Sequence, residues 1–343
     1  MVAKKDLNKI SDWLWEIPQG YRSDMRVPAR IYADEKSLEA ALADASVEQL
    51  INTATLPGIV GYALAMPDIH QGYGFPIGGV AAIRYPDGVI SPGGVGYDIN
   101  CGVRLLASEL HHDDVRPHIG TLITAIYRTV PSGVGSSGGL RLSAKDMNEV
   151  LSKGARWAVG RGYGTLEDLE RLESEGAIAG ADPGAVGSRA RERGRDQLGT
   201  LGSGNHFLEI DRVVEVFDPE VAAAFGLFEG QVVVQIHSGS RGLGHQVCDD
   251  YIKIMQRTIK EYQIDLPDRQ LVCAPLNSKE GRDYLGAMAA AANFAWANRQ
   301  VMAHLTREAF DQVLGSHFKN RELHTVYDVA HNIAKIEEHN IGG

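Results

Sequence analysis

Residues 57–105 constrain the fold more than any other stretch of this 343-residue sequence. The run PGIVGYALAMPDIHQGYGFPIGGVAAIRYPDGVISPGGVGYDINCGVRL is a series of short apolar segments punctuated by Gly and Pro. A helix does not tolerate such punctuation, because Pro removes a helical N–H and each interior Gly costs about 1 kcal/mol. The stretch therefore reads as strands joined by shaped loops. Glycine totals 39 of 343 residues, above the usual ~7%. That excess suggests tight loops, or backbone brought close to a ligand.

The remaining segments read differently. Residues 36–53, 143–175 and 279–317 have helical character, while 205–215 and 230–237 carry strand-like runs. Helices and strands are mixed without regular alternation, so the expected class is α+β and not a doubly wound sheet. There is no internal repeat, low-complexity tail or Pro/Ser-rich linker, and a single unit over 1–343 is expected. The softest stretch, Tyr284 to Met302, contains Asn293, Asn298 and Arg299. It reads as a buried Ala-rich helix and not as a membrane span.

Formal net charge is −10. A passive nucleic-acid coat would normally be basic, so that class loses weight. An enzyme handling RNA at one cationic or metal-bearing cleft stays open. Three cysteines, Cys101, Cys248 and Cys273, cannot form a disulfide framework and point to a reducing compartment. The N-terminus has no apolar signal core. A cytoplasmic location without membrane attachment is expected.

Standard nucleotide motifs do not explain the chain. Gly133-Val-Gly135-Ser-Ser-Gly138 matches G-x-G-x-x-G, but it follows a helical segment and no carboxylate-bearing strand comes at the right distance. There is no G-x-x-x-x-G-K-[ST] and no K-x-D-G.

Metal-ligating residues are more suggestive. Asp98 and Cys101, three apart on a Gly-bounded loop, could chelate one ion, and a thiolate can bridge two. With histidine they favour a borderline divalent metal over Mg²⁺ or Ca²⁺. A buried Cys beside a turn Asp would look the same. His206 and His237 stand at strand ends beside Gly-rich loops, His331 precedes Asn332, and His70 sits in a heavily shaped loop. Any of these could be structural, and with twelve histidines spacing alone does not say which meet. The backbone of GSGNHF and the Asn205 amide could hold phosphate oxygens. Arg241 offers a bidentate phosphate contact or a loop-bracing salt bridge. Arg189, Arg191, Arg193 and Arg195 could contact RNA, but Glu192 and Asp196 are interleaved, as on a solvated face. The His245/Cys248 pair reads as structural.

Six ordered segments carry a resemblance: MPDIHQGYGFPIGG (66–79), GGVGYDINCGVRL (93–105), LGTLGSGNHFLE (198–209), QIHSGSRGLGH (235–245), AAANFAWANRQ (290–300) and YDVAHNIAKIEEH (327–339). Together they resemble the RtcB family of tRNA-splicing RNA ligases. The resemblance implies a large mixed-sheet α+β domain with flanking helices. It implies a GTP- and Mn²⁺-dependent enzyme joining 2′,3′-cyclic-phosphate or 3′-phosphate RNA ends to 5′-hydroxyl ends through a histidine–GMP intermediate. Its substrates would be RNA ends, tRNA halves or broken RNA. In some family members a small partner, archease, aids guanylylation.

By motif, the resemblance implies that Asp98, Cys101 and His206 bind one Mn²⁺. Cys101, His237 and His331 would bind a second, with Cys101 bridging. Asn205, His206, Phe207, Leu208 and Glu209, with His331 and Asn332, would line the GTP site. Arg241, Asp68 and His70 would contact phosphate or RNA. The family's guanylate-accepting histidine lies in an H-R-K-G-A-T-R run that does not occur here, and His339 is a poor substitute. The expectation is therefore a domain C-terminally incomplete relative to the family. The alternatives are a member acting only as a metal-dependent cyclic-phosphate hydrolase, or an inactive fragment.

Overall fold

Strand pairing in the computed structural model follows the apolar patterning just described. The structure describes residues 2–340; the outermost limits of the expected 1–343 domain lie outside them. The chain divides into two compact units, each assembled from separated pieces of sequence.

One unit takes the chain up to Tyr97, then Cys248–Leu285 and the segment from Ala334. Its sheet runs in sequence order through β1 (Asn8–Ser11), β2 (Leu14–Ile17), β3 (Ala29–Tyr32), β4 (Ile59–His70) and β5 (Ile77–Ile83). Only β3 and β4 pair in parallel. Helices Glu35–Leu42 and Ser46–Thr53 pack on it through Leu38, Leu50 and Ile51. The expected continuous helix over 36–53 is thus two. Asp44 lies at the break, and its carboxylate accepts from the Ser46 and Gln71 N–H groups. Such local side-chain bonding competes with helix continuation. A short β6 (Val89–Ile90) pairs with a later two-residue strand at Ala274–Pro275.

The other unit, Asp98–Val247 with Gly286–Ile333, holds every residue of the candidate centre. Its sheet comprises β7 (Gly102–His111), β8 (Phe207–Arg212), β9 (Gln231–Ser238) and, counting Ala274–Pro275 as β10, β11 (His324–Ala330). The order is β11-β7-β9-β8, all antiparallel. Val232, Val234 and Ile236 of β9 face a core shared with Leu122 and Ile126 of helix Ile119–Thr129 and with Met302 and Phe310 of helix Lys279–Leu314. Val233 turns to the opposite face, with Ala107 and Val326. This alternation fixes the register, since a one-residue slip would exchange the faces.

Helix Lys279–Leu314 is the buried Ala-rich helix expected from sequence. Among the described residues, no helix is long and apolar enough to cross a membrane. Strands and helices do not alternate regularly and the sheets are mostly antiparallel, so the fold is α+β.

Candidate metal centre

Antiparallel pairing brings two strand starts and two strand ends to one end of the four-stranded sheet. Ala330 of β11 pairs with Gly102 of β7, which pairs with Ser238 of β9. His237 pairs with both Val103 and Phe207. Cys101 precedes β7, His206 precedes β8, His237 is the penultimate residue of β9 and His331 follows β11. Four candidate ligands far apart in sequence thereby meet, with Asp98 in the loop before Cys101.

Their donor atoms converge. Cys101 Sγ lies 3.4 Å from His206 Nε2 and 3.1 Å from His237 Nε2. His206 Nε2 is 2.7 Å from Asp98 Oδ2, and His237 Nε2 is 3.3 Å from His331 Nε2. Two groups result, Asp98–Cys101–His206 and Cys101–His237–His331, each with its donor atoms within 4.8 Å of one another. Cys101 is common to both. These are the two triads implied by the resemblance.

Hydrogen bonds behind the rings choose the tautomer. His206 Nδ1 donates to the Leu201 carbonyl and His237 Nδ1 to the Asn205 carbonyl, both at 3.0 Å. A ring with its proton on Nδ1 presents a lone pair at Nε2, the arrangement that a metal-binding imidazole needs. Lone pairs from carboxylate, thiol and imidazoles then face one another, and a cation between them relieves the repulsion. The thiolate and imidazole donors fit a divalent transition-metal ion better than Mg²⁺ or Ca²⁺.

Electrostatics agree with this. Burial, reinforced by the neighbouring His331 and His206, pulls the pKa of His237 down to about 4, so its ring is neutral at physiological pH. Burial and then the Asp98 charge push the Cys101 thiol well above its ordinary value. Only a bound cation would make the thiolate favourable there. Burial works to raise Asp98, but its His206 contact outweighs this and leaves it below the usual carboxylate range.

Glycines admit the close approaches. Gly202 has φ +106°, and a Cβ there would overlap both the Arg241 guanidinium and the His206 ring. Arg241 itself sits at φ +54° and donates from Nε to Thr200 Oγ1 at 3.2 Å. Burial lowers its pKa, while Asp98 and Cys101 oppose that shift. Arg241 thus stands beside the cluster as a partly buried cation facing Asp98 and Cys101.

The other expected residues are distributed as follows. Asn332 Nδ2 donates to the Asp98 carbonyl at 3.2 Å, and the Asn332 carbonyl accepts from the Asn100 N–H. The Phe207 ring meets the His237 ring edge-on at 5.1 Å. Asn205 and Glu209 are exposed. Leu208 is partly buried and packs against the hydrophobic core. Asp68 and His70 are exposed at the end of β4, where the His70 ring lies 2.7 Å from the Asp68 carbonyl, and neither belongs to a ligand group. Cys248 is buried against the Pro92 carbonyl. Arg191 is committed to the Val186 and Pro183 carbonyls and to Asn148, whereas Arg189 and Arg195 are exposed. Sequence reading missed the buried ion group of Arg104, Arg299 and Asp328 behind the centre. Its one signal was charged and amide residues inside an otherwise apolar helix.

Known proteins are similar to this chain over most of its length. The family model for tRNA-splicing ligase RtcB matches residues 49–343. The tRNA-splicing ligase RtcB of Archaeoglobus fulgidus is 57% identical over 337 residues, covering 98% of this chain and 70% of that protein. That of Thermococcus kodakarensis is 54% identical over 343 residues, covering 100% and 70%. The RNA-splicing ligase RtcB of Mycobacterium tuberculosis is 51% identical over 298 residues, covering 86% and 68%. At these identities, over this length, the chain belongs to the tRNA-splicing ligase RtcB family and is an RNA ligase.

Proposed function

We propose that this ligase is GTP- and Mn²⁺-dependent and joins RNA ends bearing a 2′,3′-cyclic phosphate or 3′-phosphate to 5′-hydroxyl ends, as in tRNA halves or broken RNA. The observation that carries the metal reading is the convergence of Asp98 Oδ2, Cys101 Sγ and three imidazole Nε2 atoms, with two rings held in the metal-binding tautomer. Asp98, Cys101 and His206 would hold one ion, and Cys101, His237 and His331 the other. Bound there, the ions would neutralise phosphate charge and orient in-line displacement.

The chain's own residues would do the rest. Leu201 and Asn205 carbonyls keep the imidazole lone pairs turned inward. Arg241 would hold a phosphate of RNA or GTP through its guanidinium fork. The exposed Asn205 amide and the backbone of residues 206–209, with His331 and Asn332, would form the GTP cradle. Neutral His237 can accept an ion without first losing a proton. Asp68 and His70 would contact RNA. Archease is the accessory partner we expect. Three buried thiols suit the reducing cytoplasm.

We also propose that the whole chain acts as one catalytic domain, since each unit is pieced together from segments separated in sequence.

The test combines equilibrium dialysis with a joining assay. Two Mn²⁺ per chain are expected, with joining of a cyclic-phosphate RNA to a 5′-hydroxyl RNA only when Mn²⁺ and GTP are both present. Joining without GTP would overturn the cofactor reading. Release of a 3′-phosphate without joining would favour the hydrolase alternative.

A further inference from the structure

Helix Lys279–Leu314 buries Asn298, Arg299 and Gln300 completely. Burying a guanidinium is costly unless every donor is satisfied. Arg299 satisfies all five. Nε and one Nη2 hydrogen donate to the Asp328 carboxylate at 2.8 and 2.7 Å. The second Nη2 hydrogen reaches Asn100 Oδ1 at 2.9 Å. Nη1 donates to the carbonyls of Asn100 and Ser238 at 2.8 and 2.9 Å.

Those acceptors lie on three separate segments, each bearing a candidate ligand. Asn100 immediately precedes Cys101, Ser238 immediately follows His237, and Asp328 is three residues before His331. Asn100 has φ +53°, a conformation uncommon for a residue with a side chain. It is held there by two of the Arg299 bonds, by Nδ2 donating to the Ala292 carbonyl at 2.8 Å, and by its N–H donating to the Asn332 carbonyl at 2.6 Å. The neighbouring Asn298 accepts from the N–H groups of Gly199 and Thr200, in the loop leading to His206, and donates to Ser238 Oγ. Arg104 differs. Among the described residues it bonds Asp328 and Gln300 but has no partner for Nη2, and it ties no such set of segments together.

We propose that Arg299 is a positioning residue for the ligation chemistry. Its guanidinium fork sets the spacing of the Cys101, His237 and His331 segments, and with it the geometry of the two-ion centre. This rests on those residues being metal ligands, as proposed above. Lysine would keep the charge but offers donors from a single nitrogen, which cannot span three segments.

The test uses Arg299→Lys, with Leu122→Ala as a control that disturbs the core of the same unit at a residue of neither ligand group. Mn²⁺ is titrated by calorimetry, and Co²⁺ is added alone to follow its visible absorption bands. Arg299→Lys is expected to weaken Mn²⁺ binding tenfold or more, to shift the Co²⁺ bands, and to lower kcat while KM for RNA stays within twofold. Leu122→Ala is expected to lose thermal stability yet keep the wild-type titration and spectrum.

Wild-type Mn²⁺ binding and Co²⁺ bands in a folded Arg299→Lys protein would overturn the proposal. Equal weakening in the control would do the same, because the effect would then be general loss of stability. Should Arg299→Lys not fold, Asn100→Gly decides. It preserves the Arg299–Asp328 pair and tolerates the positive φ. Tenfold weaker Mn²⁺ binding there supports the proposal, and unchanged binding overturns it. A wild-type protein that takes up no Mn²⁺ overturns the metal reading itself, whereas metal binding that every variant shares overturns only the role of Arg299.

Discussion

Cys101 is the residue on which both ligand groups depend, because its sulfur alone belongs to each. Substitution by alanine leaves two donors in each group. Loss of a supporting neighbour around a metal typically costs 10–100-fold, and removing a shared donor should cost more. Cys101→Ala is expected to lose both Mn²⁺ ions together and to lower ligation by more than ~100-fold. A variant that still binds one ion with wild-type affinity would show that the sulfur is not shared. His237 makes a second prediction at this scale. Its folded pKa, about 4, is below the ordinary histidine value of 6.5, so between those values the unfolded chain binds more protons. Stability then rises with pH, being present above about 6.5 and lost as pH falls toward 4. Metal-free protein should unfold at progressively lower temperature across that window, and His237→Gln should flatten the dependence. The candidate residues were legible because the motifs name them, yet spacing did not say which of twelve histidines meet. The register of β7 with β9 and β11 decides that. Arg299 was visible only as a polar interruption in an Ala-rich helix, since its acceptors are 29 to 199 residues away in sequence.

Elements impose constraints that single residues do not. Gly239 follows β9, and a Cβ there would overlap the Asp98 carboxylate. No positive φ is involved, so Gly239→Ala is a purely steric probe of one ligand's position. Displacing Asp98 should weaken the Asp98–Cys101–His206 group by about tenfold or more, a loss comparable to disturbing a ligand's supporting shell. The Cys101–His237–His331 group should be less affected. Two-step Mn²⁺ titration would separate the two, and equal weakening of both steps would contradict this geometry. Elements were also where sequence reading was most complete. Periodicity located helix Lys279–Leu314, and strand-like runs located β8 and β9. Helix breaks were missed over 143–175, where Gly154, Gly162 and Gly164 take positive φ between short helices. Mean periodicity does not register a turn that a few glycines make possible.

At the scale of the whole molecule, the division into two units was not legible, because its boundaries carry no compositional mark. One falls between Tyr97 and Asp98, inside the motif GGVGYDINCGVRL. The α+β class was legible, since it needs only the mixture of periods. The ligands span residues 98 to 331 within the second unit, and an unfolded chain would not hold them together. Metal binding at these residues would therefore be linked to folding, and each ion would stabilise the native state by RT ln(1 + [L]/Kd). At free Mn²⁺ one hundred times Kd this contributes about 2.7 kcal/mol. For a unit of 150–250 residues each kcal/mol moves Tm by about 2–4 °C. Mn²⁺ at that concentration should thus raise Tm by roughly 5–10 °C for each ion bound, and a chelator should reverse the rise. The same addition should leave Cys101→Ala unmoved. If that variant's Tm rose equally, the stabilisation would come from ions at the acidic surface of a chain with net charge −10, and not from the end of the four-stranded sheet. The comparison therefore separates specific ligation from general screening, by a readout that does not depend on RNA joining.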